Sequence, residues 1–153
     1  MASPRLLQGR ISRIGGIYVI TTVVCGRRAM LRQQTADRVA RELHAFGADP
    51  RIDSLGWVVM PDHLHWMFQL QHGALSAVVQ ALKSRSARGV NQSLGLSGAL
   101  WQAGYYDRQL RAEEDLLVQA RYIVGNPLRK GLVQRVEDYP YWWCRWVTGS
   151  KDL

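Results

Sequence analysis

Apolar residues follow two different periods along this chain, and the switches between them mark its elements. Residues 17–24 (Ile-Tyr-Val-Ile-Thr-Thr-Val-Val) are rich in β-branched side chains and read as a central strand. Leu31, Thr35, Val39, Leu43 and Phe46 then recur at helical spacing, and Gly47 supplies a stop. A second strand falls within 50–61, Pro61-Asp62 makes a tight turn, and 63–70 return as a third strand. Leu75, Val78, Val79 and Leu82 mark another helix, with Lys83, Arg85 and Arg88 on its outer flanks. Residues 91–99 read as a Gly/Ser loop and 105–110 as a fourth strand. A last helix carries Leu116, Leu117, Ala120, Ile123 and Val124 on one apolar stripe.

The order β-α-β-β-α-β-α predicts an α+β fold, a ferredoxin-like antiparallel sheet with helices packed on one face. The chain divides into a basic arm over 1–16, the domain proper over 17–135 and a Trp-rich tail over 136–153. The tail holds Trp142, Trp143 and Trp146, expected to pack back on the domain; stacking on bases is the alternative.

Two features of this pattern carry chemistry. Alternate strand residues share a face, so His63 and His65 point one way while Leu64, Trp66 and Phe68 point into the core. Two imidazoles side by side on rigid backbone make most of a metal site; a solvent-facing polar pair has the same pattern. On the last helix, about 100° per residue puts Tyr122 nearly opposite the apolar stripe. Asp115, Gln119 and Asn126 fall on its side of the wheel. An exposed tyrosine packed on a neighbouring loop would also satisfy that placement.

The totals narrow the partner. With 153 residues, one domain with a real core is expected. A formal net charge of +8 favours a polyanion, most simply nucleic acid. The longest apolar run, around 17–25, contains threonines and falls short of a spanning helix, so no membrane partner is expected. Arg5, Arg10 and Arg13 without an acid make 1–16 a basic arm rather than a signal peptide. Cys25 and Cys144 lack a zinc-ribbon pattern and fit reduced thiols of a cytoplasmic protein.

Residues 59–65 (Val-Met-Pro-Asp-His-Leu-His) resemble the metal-binding motif of the HUH single-strand nucleases. Residues 101–108 (Trp-Gln-Ala-Gly-Tyr-Tyr-Asp-Arg) and 122–133 (Tyr-Ile-Val-Gly-Asn-Pro-Leu-Arg-Lys-Gly-Leu-Val) look like later blocks of the REP-associated tyrosine transposases. The three blocks run in order between about Gly16 and Val133. The resemblance implies a bacterial, nucleoid-associated enzyme that cleaves and rejoins single-stranded DNA beside hairpins formed by REP-like palindromes. It makes Tyr122 the nucleophile, His63 and His65 ligands of Mg²⁺ or Mn²⁺, and Asn126 the third ligand. Asn126 precedes Pro127, which disfavours helical geometry, so Gln119 or Asp115 is the alternative donor. Tyr105 and Tyr106 are the competing nucleophiles.

Lys83, Arg85, Arg88, Arg108, Arg111, Arg129 and Lys130 are the basic residues expected to meet DNA. The resemblance implies a monomer, with a homodimer as the alternative. A non-catalytic binder of hairpin DNA or RNA is the competing function. A zinc hydrolase would need ligands beyond His44 and His72, whose spacing offers none.

Overall fold

The computed structural model describes residues 12–111 and 116–153. Its strands are β1 (Ile17–Val23), β2 (Ile52–Met60), β3 (His63–Leu70), β4 (Tyr106–Gln109) and β5 (Trp142–Cys144). Its helices are α1 (Gln34–Ala45), α2 (Leu75–Leu94), α3 (Leu116–Val124) and the single turn α4 (Asn126–Arg129). The strands form one antiparallel sheet in the order β4-β1-β3-β2-β5. The expected α+β class and element order hold, and the tail adds the fifth strand on the edge beside β2.

Period-two alternation gives the sheet two different faces. Tyr18, Ile20, Trp57, Val59, Leu64, Trp66 and Phe68 point to one side, where Val39, Leu43, Val78, Val79 and Leu82 of α1 and α2 cover them. Phe46 and Phe68 flank Trp66 at 5.2 and 4.5 Å between ring centroids, and the Trp66 indole donates to Ser54 Oγ at 3.0 Å. A ring this large is tolerated in a core because its one polar atom is satisfied.

The opposite face carries Leu55, Val58, Met60 and Met67, and against it pack Ala120, Ile123 and Val124 of α3 with Tyr139 and Val147 of the tail. The two longer helices thus share one face, while the tyrosine helix lies on the other. Register puts His63 across from Met60 and His65 across from Val58, on the α3 side of the sheet.

Helix α2 runs to Leu94 and stops at Gly95, which adopts the left-handed conformation (φ 65°) of a helix C-cap. The loop expected from residue 91 therefore begins at Gly95, because Val90 still packs in the core and holds the helix. The described end of the basic arm is tied down: Ser12 Oγ accepts from the Leu75 amide at 2.9 Å, and the Gly15 amide donates to the Leu70 carbonyl at 2.7 Å. Arg5 and Arg10 lie outside the described residues. Among the described residues, no helix is long and apolar enough to cross a membrane.

Candidate active site

The two-residue turn at Pro61-Asp62 closes the β2–β3 hairpin and aims the histidines. Neighbouring backbone fixes that turn, since Val24 N donates to the Asp62 carbonyl at 2.8 Å and Leu31 N to the Pro61 carbonyl at 2.9 Å. The His63 and His65 rings stand 4.8 Å apart between centroids at an interplanar angle of 75°. Asp62 Oδ1 lies 2.7 Å from His63 Nδ1. An ionised carboxylate only accepts, so Nδ1 carries the hydrogen, and in the neutral ring Nε2 is the atom with the lone pair. Partial burial raises the Asp62 carboxyl, but the hydrogen bond and charge of His63 and the charge of Arg27 outweigh it and hold it below its ordinary value.

Thr21 Oγ1 lies 2.7 Å from His65 Nδ1, because β1 pairs Thr21 directly with His65. A hydroxyl can accept there and leave Nε2 free in turn. Burial foremost, then the positive charges of His63, Arg129 and Lys130, pushes His65 down to about 4. Its imidazole is therefore neutral at neutral pH, as a metal ligand must be. An orienting partner on Nδ1 of each ring is the usual outer shell of a metal-binding histidine. The donor set fits a divalent ion.

Beside His65 opens a cavity of about 460 Å³, lined also by Thr21, Tyr106, Asp107, Arg108, Gln119 and Tyr122. Helix α3 sets Tyr122 there: Ile123 and Val124 anchor it to the sheet, which leaves Tyr122, 63% exposed, on the opposite side. The Arg129 guanidinium carbon stands 3.8 Å above the centre of that ring. Gln119, one turn before Tyr122, shares the cavity.

Asn126 is placed differently. Helix α3 ends at Val124, Gly125 intervenes, and Asn126 opens α4. Its carbonyl accepts from Lys130 N at 3.0 Å, so the residue before Pro127 is helical after all, but in a new turn. Asn126 is 7% exposed and, like His63, is not among the residues lining the cavity. Asp115 lies outside the described residues.

The competing tyrosines separate. Tyr105 packs against the α1–α2 core, whereas Tyr106 faces the cavity. Among the basic residues, Arg108 lines the cavity, Arg111 follows β4 exposed, and Arg129 and Lys130 lie exposed close enough to His65 to act on its charge. Arg85 and Arg88 are exposed on α2, across the sheet, with Arg85 4.9 Å from the Phe46 ring centre. Lys83 is engaged by the backbone, donating to the Gln102 and Gly104 carbonyls at 2.9 and 2.7 Å.

His44 lies in another pocket, beside Trp57, Trp142 and Trp143. Among the described residues, no group of three or more His, Cys, Asp or Glu is placed to hold a metal. Cys25 and Cys144 are both free thiols.

Sequence reading missed Thr21 and Asp62 as partners of the histidines. Asp62 was visible as the neighbour of His63 but also satisfied the turn. Thr21 had no local signal, since only strand pairing brings it to His65.

Comparisons with known proteins give the chain's family and fold. Residues 14–126 match the family model described as "Transposase IS200 like". A REP-associated tyrosine transposase of Escherichia coli strain K12 is 25% identical over 129 residues, covering 83% of this chain and 75% of that protein. A solved REP-associated tyrosine transposase bound to a REP hairpin superposes with a TM-score of 0.72 at 24% identity, covering 93% of this chain and 82% of that one.

Proposed function

This chain belongs to the IS200-like transposase family and has a transposase-like role in DNA processing; on that premise we propose that it cuts and rejoins single-stranded DNA beside hairpins, with Tyr122 as nucleophile. The observation that carries the reading is the convergence of Tyr122 and His65 on one cavity, with His63 at 4.8 Å from His65.

In this reading His63 and His65 hold Mg²⁺ or Mn²⁺ through Nε2, and an amide oxygen joins them. Asn126 is assigned first, on its sequence block, and Gln119 is the alternative favoured by its place in the cavity. When bound, such an ion polarises the scissile phosphate and offsets its charge.

The protein's own residues do the rest. Tyr122 Oη forms a bond to phosphorus as the bond to the 3′ oxygen breaks, giving a 5′-phosphotyrosine and a 3′-hydroxyl. The phenol loses its proton and the departing oxygen gains one. One phosphodiester replaces another, so the step is reversible and needs no nucleotide cofactor. Asp62 and Thr21 keep the two imidazoles oriented throughout.

Arg108, Arg111 and Lys130 contribute to a basic rim that meets the phosphates. Hairpins of the REP-like type are the proposed substrate, extended from the hairpin-bound relative. His65, Gln119 and Tyr122 line one cavity within a single chain, which supports the monomer proposed here.

The test is a denaturing gel of protein mixed with labelled single-stranded hairpin DNA, with Mn²⁺ or with EDTA. A metal-dependent covalent adduct, absent in Tyr122→Phe, is expected. Salt-sensitive hairpin binding with no adduct would replace this reading with the non-catalytic binder.

A further inference from the structure

Resting on Tyr122 as the nucleophile, we infer that Arg129 is the residue that positions it, rather than one more contact to DNA phosphate. An exposed aromatic ring on a helix changes rotamer on the picosecond to nanosecond scale. Each change moves the phenol oxygen relative to His65 and to any phosphate beside it. Productive attack needs the oxygen in one place, which makes the restraint on this ring part of the chemistry.

Arg129 supplies two restraints at once. Its guanidinium lies over the ring face at 3.8 Å, within the range of a cation–π stack. Its Nη2 donates to the carbonyl of Tyr122 itself. That carbonyl belongs to the last turn of α3, where acceptors lack amide partners from their own helix. Ring and backbone of one residue are therefore gripped by one planar group.

The local sequence builds the seat for it. Seven residues make about two helical turns. Helical bonds pass through Gly125, whose amide donates to the Arg121 carbonyl at 2.9 Å and whose carbonyl accepts from the Arg129 amide at 3.1 Å. Arg129 therefore comes up on the face of Tyr122. A Cβ on Gly125 would lie 2.9 Å from Arg129 Nη1, close enough to push the guanidinium end aside, and in tight contact with the Arg121 carbonyl at 3.0 Å. Gly125 is not needed for its backbone angles, which are ordinary right-handed ones (φ −77°, ψ −5°). Its bare Cα leaves the guanidinium room in its present seat. Lysine at 129 would keep the charge but neither the planar stack nor the fork.

The experiment uses the full chain, a labelled single-stranded hairpin oligonucleotide from the source genome's palindromic repeats, and Mn²⁺. It measures the single-turnover rate of adduct formation at saturating DNA, and separately the hairpin Kd across salt concentrations. Arg129→Met is expected to slow the adduct by about tenfold, in line with the loss of one cation–π restraint. Arg129→Lys should recover little of that rate. Gly125→Ala, which keeps the guanidinium but crowds its seat, should also slow it. Kd and its salt slope should stay at wild-type values in all three. In tyrosine-labelled protein, the ring resonance assigned through Tyr122→Phe should shift in Arg129→Met; this reading needs no activity and also shows whether each variant is folded.

A wild-type rate with weaker binding and a shallower salt slope would overturn the proposal and make Arg129 a phosphate contact. An unmoved Tyr122 resonance would overturn it too. An adduct that persists in Tyr122→Phe, or none in wild type, would instead end the nucleophile assignment beneath it.

Discussion

Asp62 Oδ1 stands 2.7 Å from Nδ1 of His63, the residue that follows it, so the residue closing the hairpin turn also orients the first ring of the histidine pair. Removing an orienting carboxylate of this kind typically weakens a metal site by about 10–100-fold. Asp62→Ala is predicted to lose Mn²⁺ affinity in that range by titration calorimetry. Thr21→Val should lose less, because it removes a neutral partner from His65 rather than a charged one. Unchanged affinity in Asp62→Ala would separate the turn from the site.

The two amides make opposite predictions. If Asn126 donates its oxygen to the ion, Asn126→Ala lowers Mn²⁺ affinity and adduct yield together while Gln119→Ala leaves the affinity near wild type. The reverse ranking is expected if Gln119, in the cavity with His65 and Tyr122, is the donor. Calorimetry on both variants decides between them.

Lys83 should behave as a strut. Its ammonium joins α2 to the segment leading into β4 through the Gln102 and Gly104 carbonyls, and burial holds its pKa below the ordinary lysine value. Lys83→Met leaves both carbonyls without this donor and is predicted to cost about 1–3 kcal/mol in urea unfolding. The salt slope of hairpin binding should not change. Arg108→Met, at the cavity, should flatten that slope by about one ion.

Tyr139 ties the tail to β2 by donating its hydroxyl to the Val59 carbonyl. Burial first, and Tyr141 second, pushes its phenol up to about 12 from 10.0. The folded chain then keeps this proton to higher pH than the unfolded chain does. The stabilising contribution is complete below pH 10 and fades as pH rises towards 12, by at most about 3 kcal/mol. Tyr139→Phe should be less stable than wild type at pH 8 by about 1 kcal/mol. That difference should shrink or reverse near pH 11, as read from urea midpoints.

Local patterns made much of this legible. Alternation in 63–70 placed His63 and His65 opposite Leu64 and Trp66, and helical spacing from Leu116 to Val124 turned Tyr122 outward. What depended on distant chain did not show. Thr21 meets His65 across 44 residues, Lys83 meets the carbonyls of 102 and 104, and the tail completes the sheet through Trp142–Cys144. Asn126 falls in the separate turn α4 and is buried, which local spacing did not show. Arg129, read as one basic residue among seven, stands two turns beyond the tyrosine and over its ring.

The most direct test of the account is the mass of the DNA-linked peptide. After reaction with hairpin DNA and Mn²⁺, nuclease trimming and trypsin, cleavage at Arg121 and Arg129 releases residues 122–129, whose only tyrosine is Tyr122. The account predicts this peptide carrying a phosphonucleotide on its tyrosine. The same mass addition on the peptide 89–108, which holds Tyr105 and Tyr106, would contradict it and move the nucleophile to the other wall of the cavity.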